Sequence, residues 1–207
     1  MLSAPSVAAD ERRAELLEAA VRALRRLGFE RMRLRDVAQE AGVSIGLLQH
    51  YFETREQLGR EAFAAACGER ARQFAGSAEP GSSGWNRIRQ MLDYAFGHKG
   101  MRDRAGTWLD LCAAASRDVS LQHEALRVQD VWRAPLAAAI DEGVASGELK
   151  PRIGRDAAVD LLLALIDGTE LAATIGDTRL SAKRLLPATL DVAQYMLGVQ
   201  TPSSTAA

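Results

Sequence analysis

Apolar residues in this chain recur at steps of three and four positions, and period-two alternation never lasts long enough to predict a strand. The clearest case runs from Asp10 to Leu27, where Gly28 then provides a stop. Similar segments are expected at 34–40, 44–52, 54–74, 84–98, 102–116, 119–146, 155–174 and 182–197. The pattern therefore predicts an all-α fold of about nine helices, with a kink or restart at Pro135.

Composition restricts the classes of protein that fit. The two cysteines, Cys67 and Cys112, are far apart and form no CxxC pair, and no HExxH, GxSxG or phosphate loop is present. We therefore expect no metal, no cofactor and no enzymatic activity. The longest apolar run, LLLALI at 161–166, is too short to span a bilayer, and the N-terminus lacks a signal-peptide pattern. These features indicate a cytoplasmic protein without a membrane partner.

The stretch AGVSIG at 41–46 places two glycines among residues that otherwise favour helix. Each glycine costs about 1 kcal/mol relative to alanine inside a helix, so a specific use is expected. A tight connection between two short helices sets them at a steep angle, as in a helix-turn-helix, and Gly42 would supply a positive φ there. Gly46, one turn into the next helix, would allow close approach to a groove. Ser44 would cap that helix.

The segment RDVAQEAGVSIGLLQHYFETREQL, 35–58, resembles the DNA-binding signature of the TetR family of bacterial regulators. Three body segments, 108–118, 131–149 and 161–173, more loosely resemble the BetI-like branch. The resemblance implies an N-terminal three-helix helix-turn-helix head plus a helical-bundle regulatory body. We expect a DNA-binding domain at 1–53, a linking helix with a ligand-binding and dimerisation domain at 54–200, and a disordered tail at 201–207.

The recognition helix offers several candidates for DNA contact. The amide of Gln49 can donate and accept together against adenine, while Ile45 and Leu47 could touch thymine methyl groups. By resemblance, phosphate contacts would come from Ser44, Tyr51 and Arg55. The complete set of predicted DNA-binding residues is Arg33, Arg35, Ser44, Ile45, Gly46, Leu47, Gln49, His50, Tyr51 and Arg55.

These roles have structural alternatives. Tyr51 could be a core ring with an exposed hydroxyl, and His50 could simply face solvent. The arginines that crowd 22–35 could form a solvated helix face with pairs such as Glu18 and Arg22. Three positions depart from the family signature: Arg33 replaces a frequent capping threonine, Gln49 a tyrosine and Arg55 a lysine.

A homodimer is expected, because symmetric dimers place two recognition helices on one face of a duplex. Residues 157–166 are apolar nearly all round, which suits a helix covered on two sides. Leu186, Leu190, Ala193 and Leu197 form a stripe on the last helix. The predicted interface therefore lies on the last two helices, with a purely internal core as the alternative.

The body also carries candidates for a small-molecule effector site, since such pockets combine aromatic residues with a few polar groups. A cationic ligand between Trp108 or Trp132 and Asp167 is one hypothesis. An arginine partner or a capping role for Asp167, and core positions for the aromatic residues, are the alternatives. The predicted ligand-binding residues are Met91, Tyr94, Trp108, Cys112, Trp132 and Asp167.

The resemblance thus implies a homodimeric transcriptional repressor that binds a double-stranded, palindromic operator and is released by an effector. The alternatives are a ligand-independent helical DNA-binding protein, a protein scaffold, or an all-helical enzyme. Only a DNA-binding protein should lose binding to duplex DNA steeply as salt rises.

Overall fold

Helices account for most of the computed structural model, which describes residues 7–97 and 101–200. Over these residues it contains nine α-helices and one short 3₁₀ turn, Thr178–Leu180. The helices are α1 (Val7–Leu27), α2 (Leu34–Ala41), α3 (Ile45–Tyr51), α4 (Arg55–Gly76), α5 (Gly84–Gly97), α6 (Met101–Ala115), α7 (Val119–Ala145), α8 (Arg155–Ile175) and α9 (Ala182–Leu197). The predicted all-α class is confirmed, and the tail predicted at 201–207 lies outside the described residues.

Several helix ends follow from the capping residues that the sequence provides. α1 ends before Gly28, which has a φ of 75°. The Thr54 hydroxyl accepts from the Gln57 N–H at 3.1 Å, whereas the Gln57 side chain accepts from Glu53 rather than from Thr54. Of the two outcomes predicted at Pro135, a restart is excluded because α7 is continuous through it, and a kink stays a prediction.

The contacts divide the chain into two units. The first comprises the residues up to Glu69 with Gly106–Val128, and the second comprises Arg70–Ala105 with the residues from Gln129 onward. The first unit buries large side chains from four helices, from the α1–α2 loop and from the residue after α3: Leu16, Leu24, Met32, Leu48, Phe52, Leu58, Phe63 and Leu111. The predicted boundary after residue 53 separates a DNA-binding domain from a ligand-binding and dimerisation domain, and it stays a prediction. No helix within 7–97 and 101–200 is long and apolar enough to cross a membrane.

In the second unit, the end of α9 is fastened to the loop that follows α7. Leu149 and Val199 form an antiparallel bridge, and the Gln200 N–H donates to the Glu148 carbonyl at 2.8 Å. The Lys150 N–H donates to the Leu197 carbonyl at 3.1 Å. Helical periodicity does not predict this short backbone pairing, because the paired residues lie fifty positions apart.

A buried ion pair lies among aromatic rings in the second unit. The Arg70 guanidinium pairs with the Glu170 carboxylate, and their side chains are only 12% and 2% exposed. The Arg70 Cζ lies 5.0 Å from the centre of the Trp132 ring, and Phe74 packs on the same ring with centroids 4.3 Å apart. Burying two charges carries a desolvation cost that their attraction only partly offsets, so each charge depends on the other.

Glu170→Leu should lower the free energy of unfolding by about 3 to 5 kcal/mol, because it leaves the guanidinium buried without this carboxylate. The double variant Arg70→Met/Glu170→Leu should recover most of that loss, since neither charge is then buried. Urea unfolding of the wild type, both single variants and the double variant measures the coupling. A double variant whose loss equals the sum of the single losses would contradict the dependence.

Candidate nucleic-acid interface

The turn between α2 and α3 depends on Gly42. This residue adopts the left-handed conformation, with φ 67° and ψ 33°, and the Val43 N–H then donates to the Ala38 carbonyl at 2.9 Å. The chain enters α3 through Ser44, whose hydroxyl accepts from the Leu47 N–H at 3.2 Å. The predicted turn glycine and the predicted cap are both confirmed.

One face of this helical pair is buried and the other faces solvent. Val37, Leu48 and Phe52 have no exposed surface. On the opposite side Ser44, Ile45, Gly46, Gln49 and His50 are exposed, with Ile45 at 45%, and Leu47 and Tyr51 are half-buried. The rings of His50 and Tyr51 meet edge to face with centroids 5.3 Å apart. Of the predicted candidates on α3, Ile45, Gly46, Gln49 and His50 are therefore accessible, and Leu47 and Tyr51 are partly accessible.

Three arginines line a surface depression at the start of α2 and α4. The depression has a volume of about 430 Å³ and is lined by Arg33, Leu34, Arg35 and Arg55. The Arg33 N–H donates to the Asp36 carboxylate at 2.9 Å, which is the half of a capping box that the third helical residue provides, whereas the Arg33 side chain has no acceptor with which to replace a threonine hydroxyl. Arg35 has 78% of its side chain exposed and lies 3.9 Å from Asp36. A concave basic surface of this kind suits a phosphate group.

Arg55 is more deeply integrated in the fold than the sequence suggests. Its Nη1 donates to the Phe29 carbonyl at 2.5 Å and lies 3.4 Å from the Met32 carbonyl. The guanidinium also lies 4.7 Å from the centre of the Phe29 ring and is 3.0 Å from Glu56, and the side chain is 20% exposed. The pKa of Glu56 is lowered, mainly by a hydrogen bond from the Glu56 backbone N–H and secondly by the hydrogen bond from the Arg55 side chain. Arg55 therefore supports the loop before α2, and a phosphate contact by it stays a prediction.

The arginines of α1 take part in contacts between helices. Arg22 Nε lies 3.0 Å from the Glu40 carboxylate and Arg26 lies 3.5 Å from it, so Arg22 pairs with Glu40 and not with Glu18, the partner that the alternative of a solvated helix face gave it. Glu40 is on α2, and these ion pairs connect α1 to α2. Arg22 and Arg26 therefore contribute to the packing of α1 against α2.

The predicted effector residues fall in both units. Met91, Tyr94, Trp132 and Asp167 belong to the second unit, whereas Trp108 and Cys112 belong to the first. The Tyr94 hydroxyl lies 2.9 Å from the Gln73 Oε1, and Gln129 donates to the Asp167 carboxylate at 3.4 Å. Among the described residues, no group of three or more His, Cys, Asp or Glu could hold a metal ion.

The predicted ligand-binding residues include neither Arg70 nor Glu170, although both lie beside Trp132 or its contacts. Arg70 contacts Trp132, and Glu170 is the acid that pairs with it. Glu170 lies in a mostly apolar stretch, which is the only signal in the sequence for a buried, paired acid. Because its partner is 100 positions away, no local pattern identifies Arg70.

Comparison with family sequence models gives two matches. Residues 16–62 match the bacterial regulatory proteins of the tetR family, and residues 86–197 match the C-terminal domain of BetI-type transcriptional repressors. The second match alone covers more than half of the chain.

Individual proteins agree with these matches. The HTH-type transcriptional regulator YfiR of Bacillus subtilis is 30% identical over 146 residues, which cover 69% of this chain and 70% of that protein. A TetR-family regulator from Rhodococcus sp. has a TM-score of 0.78 at 25% identity, covering 91% of this chain and 99% of that one. A transcriptional regulator from Saccharomonospora viridis in complex with choline has a TM-score of 0.80 at 21% identity, covering 93% and 100%; at this identity the likeness concerns the fold alone.

Substitution of the two glycines should separate folding from DNA binding. Gly42→Ala should lower the melting temperature, because a left-handed conformation costs a residue with a Cβ about 1 to 2 kcal/mol. A Cβ at Gly46 would meet only the Ser44 Oγ, at 4.0 Å, so Gly46→Ala should fold at least as stably as the wild type. If close approach is its use, Gly46→Ala should still weaken binding to duplex DNA. Thermal melting and duplex titration test both, and wild-type DNA affinity in Gly46→Ala would contradict the close approach.

Proposed function

Because the chain belongs to the TetR family of transcriptional regulators, which bind DNA and are not enzymes, we propose that it is a homodimeric repressor of a palindromic operator. The recognition helix α3 enters the major groove, and a small-molecule effector releases the protein. The observation that carries the proposal is the solvent-accessible surface of α3, where Ile45, Gln49 and His50 are exposed while Leu48 is fully buried.

Base reading is assigned to α3. The major groove admits one α-helix, and each base pair there presents a distinct pattern of donors and acceptors. Gln49 is exposed at the middle of the helix, and its amide can form two bonds with adenine. Ile45 is exposed one turn earlier on the same side, where its methyl groups can contact thymine. Ser44, His50 and Tyr51 border this surface and are assigned to the flanking backbone.

Phosphate binding is assigned to the depression at the start of α2. Arg35 is the member with a largely exposed side chain, and Arg33 is exposed beside it. Arg55 lines the same depression from α4. Contacts of this kind fix the position of a protein on DNA without reading sequence, and they make affinity depend strongly on salt.

The dimer is assigned to an apolar face on α8 and α9. On α8 this face contains Leu161, Ala164, Gly168, Leu171 and Ile175, all exposed at steps of three and four residues. Ile175 is 70% exposed and Leu171 is 49% exposed, which is unusual for large apolar side chains at such regular spacing. A second copy of the chain is the occupant that the operator-binding proposal requires, since two heads about 34 Å apart fit one face of a duplex.

On α9 the apolar residues that are exposed to solvent are not those of the predicted apolar stripe. Ala193 and Leu197 are fully buried, and Leu186 and Leu190 are half-buried, so this stripe serves mainly the core of the unit. The exposed apolar residues of α9 are instead Ala188, Val192 and Tyr195, with Tyr195 67% exposed. Arg152 lies against the Tyr195 ring, 4.5 Å from its centre. These residues extend the proposed interface from α8.

The effector is assigned to the second unit, around Met91, Tyr94, Trp132 and Asp167. Choline, which the Saccharomonospora viridis regulator binds, is a quaternary ammonium ion, and such ions favour aromatic rings and carboxylates. In this chain Arg70 already contacts Trp132 and pairs with Glu170. A cationic effector at Trp132 would therefore compete with Arg70, and release would require it to bind more tightly to the conformation that misfits the operator.

Substitutions at Gln49 and Arg35 should affect DNA binding in different ways. Gln49→Ala should lower affinity for a duplex selected from a random library and leave affinity for random duplex nearly unchanged, because only base contact is lost. Arg35→Ala should weaken both duplexes alike and reduce the salt slope by about one phosphate contact. Fluorescence anisotropy over a salt series measures both. Equal losses on selected and random DNA for Gln49→Ala would contradict base reading.

A charged substitution on the α8 face should dissociate the dimer. Leu171→Glu should give a monomer, because two copies would bury opposing carboxylates in an apolar interface. Val144→Glu on α7 is a matched control, since Val144 and Leu171 are 47% and 49% exposed. Analytical ultracentrifugation gives the mass, and titration with the selected duplex gives the affinity. If Leu171→Glu keeps the mass and affinity of Val144→Glu, the proposed interface is wrong.

A further inference from the structure

Both backbone groups of Phe29, in the loop between α1 and α2, are held by charged side chains from other helices. Its N–H donates to the Asp110 carboxylate of α6 at 2.6 Å. Its carbonyl accepts from the Arg55 guanidinium of α4 at 2.5 Å. Hydrogen bonds to charged groups are stronger than those between neutral groups, so these two contacts fix the position of Phe29.

The residues around Phe29 pack closely against it and favour this arrangement. Gly28 has a φ of 75°, and a Cβ there would lie 3.5 Å from the Asp110 Oδ2. The Phe29 ring is 5% exposed and stacks on Phe63 with centroids 5.4 Å apart. A Cβ at Gly59 would lie 2.4 Å from that ring, so α4 has a glycine where the ring packs. The loop therefore has little freedom to move without moving its partners.

A second contact ties the same loop to the residues that follow α6. Arg117 lies 3.3 Å from the carboxylate of Glu30, the residue after Phe29. Both side chains are about two-thirds exposed, so this pair contributes little on its own. It nevertheless shows that α6 and its C-terminal extension approach the loop at two consecutive residues.

Arg55 connects this anchor to the proposed phosphate site. Its guanidinium bonds the Phe29 carbonyl, contacts the Phe29 ring and lines the depression with Arg33 and Arg35. Arg33 is tied to the same loop, since its Nη1 donates to the Glu30 carbonyl at 3.1 Å. The position of the loop thus sets the positions of two of the three arginines.

We propose that Asp110 is a positioning residue for DNA binding, which holds Phe29 so that Arg33 and Arg55 present their guanidinium groups to phosphate. The inference rests on the proposed DNA-binding function and assigns α6 a direct role in it. Loss of the Asp110 carboxylate from the Phe29 N–H frees the loop and lowers the affinity for every duplex sequence, because phosphate contacts carry no base preference.

The sign of the effect on affinity distinguishes this role from simple electrostatics. Asp110→Ala removes a negative charge from the head, which by charge alone would tighten binding to DNA. The positioning role requires weaker binding to DNA instead. We expect Asp110→Ala to bind selected and random duplexes about tenfold more weakly, with a salt slope smaller by roughly one phosphate contact. Asp110→Asn, which also loses the charge but keeps an acceptor for the Phe29 N–H, should bind as tightly as the wild type or more tightly.

Two further variants complete the experiment. Asp130→Ala removes an exposed carboxylate from α7 and controls for the change in net charge. Asp110→Glu keeps the charge but lengthens the side chain, so it should also weaken binding to DNA. If Asp110→Ala does not fold, Asp110→Glu decides whether Asp110 is a positioning residue. Anisotropy titrations over a salt series are made well below the melting temperature of each variant, and NMR hydrogen exchange at the Phe29 amide reports whether its bond is kept.

The outcomes separate this inference from the proposed function. If the wild type binds DNA and both Asp110→Ala and Asp110→Glu keep its affinity and salt slope, Asp110 is only a structural contact and the inference is overturned. If the wild type shows no salt-dependent binding to either duplex, the proposed function fails and the inference fails with it. Weaker binding by Asp110→Ala with recovery in Asp110→Asn supports the inference.

Discussion

The left-handed backbone at Gly42 is the constraint on which the proposed DNA-binding surface depends. It lets an eight-residue helix turn directly into a seven-residue one, and neither helix is long enough to be stable alone in water. Both therefore depend on packing, which Leu48 and Phe52 provide from within the first unit. Because Leu48 on α3 and Phe52 directly after it are buried, the exposed residues of α3 are left accessible to a duplex.

The arginines around that surface fall into two groups, those that hold parts of the fold together and those that are exposed to solvent. Arg22 and Arg26 hold α1 to α2 through Glu40, and Arg55 holds the loop before α2. Arg35 is largely exposed and has no comparable role in the fold. Since the chain has a net charge of only -1, attraction to DNA has to arise from such local placement rather than from an overall field.

The sequence predicted most of the fold but only part of the candidate site. Helix bounds followed from apolar periodicity and from stops such as Gly28, both of which are local. The bonds that Phe29 accepts from Arg55 and donates to Asp110 join residues 26 and 81 positions apart, and they depend on how helices pack. Periodicity also could not say which apolar stripe of α9 faces inward, because a covered face and an interface have the same composition.

The most direct test of the central claim is an NMR titration of isotopically labelled wild-type protein with the selected duplex. The account predicts that the largest amide shift changes occur across Ser44–Tyr51 and at Arg33–Arg35, and that they reverse when salt is added. Changes confined to α8 and α9, or no changes at any protein-to-DNA ratio, would contradict the docking of α3 on DNA.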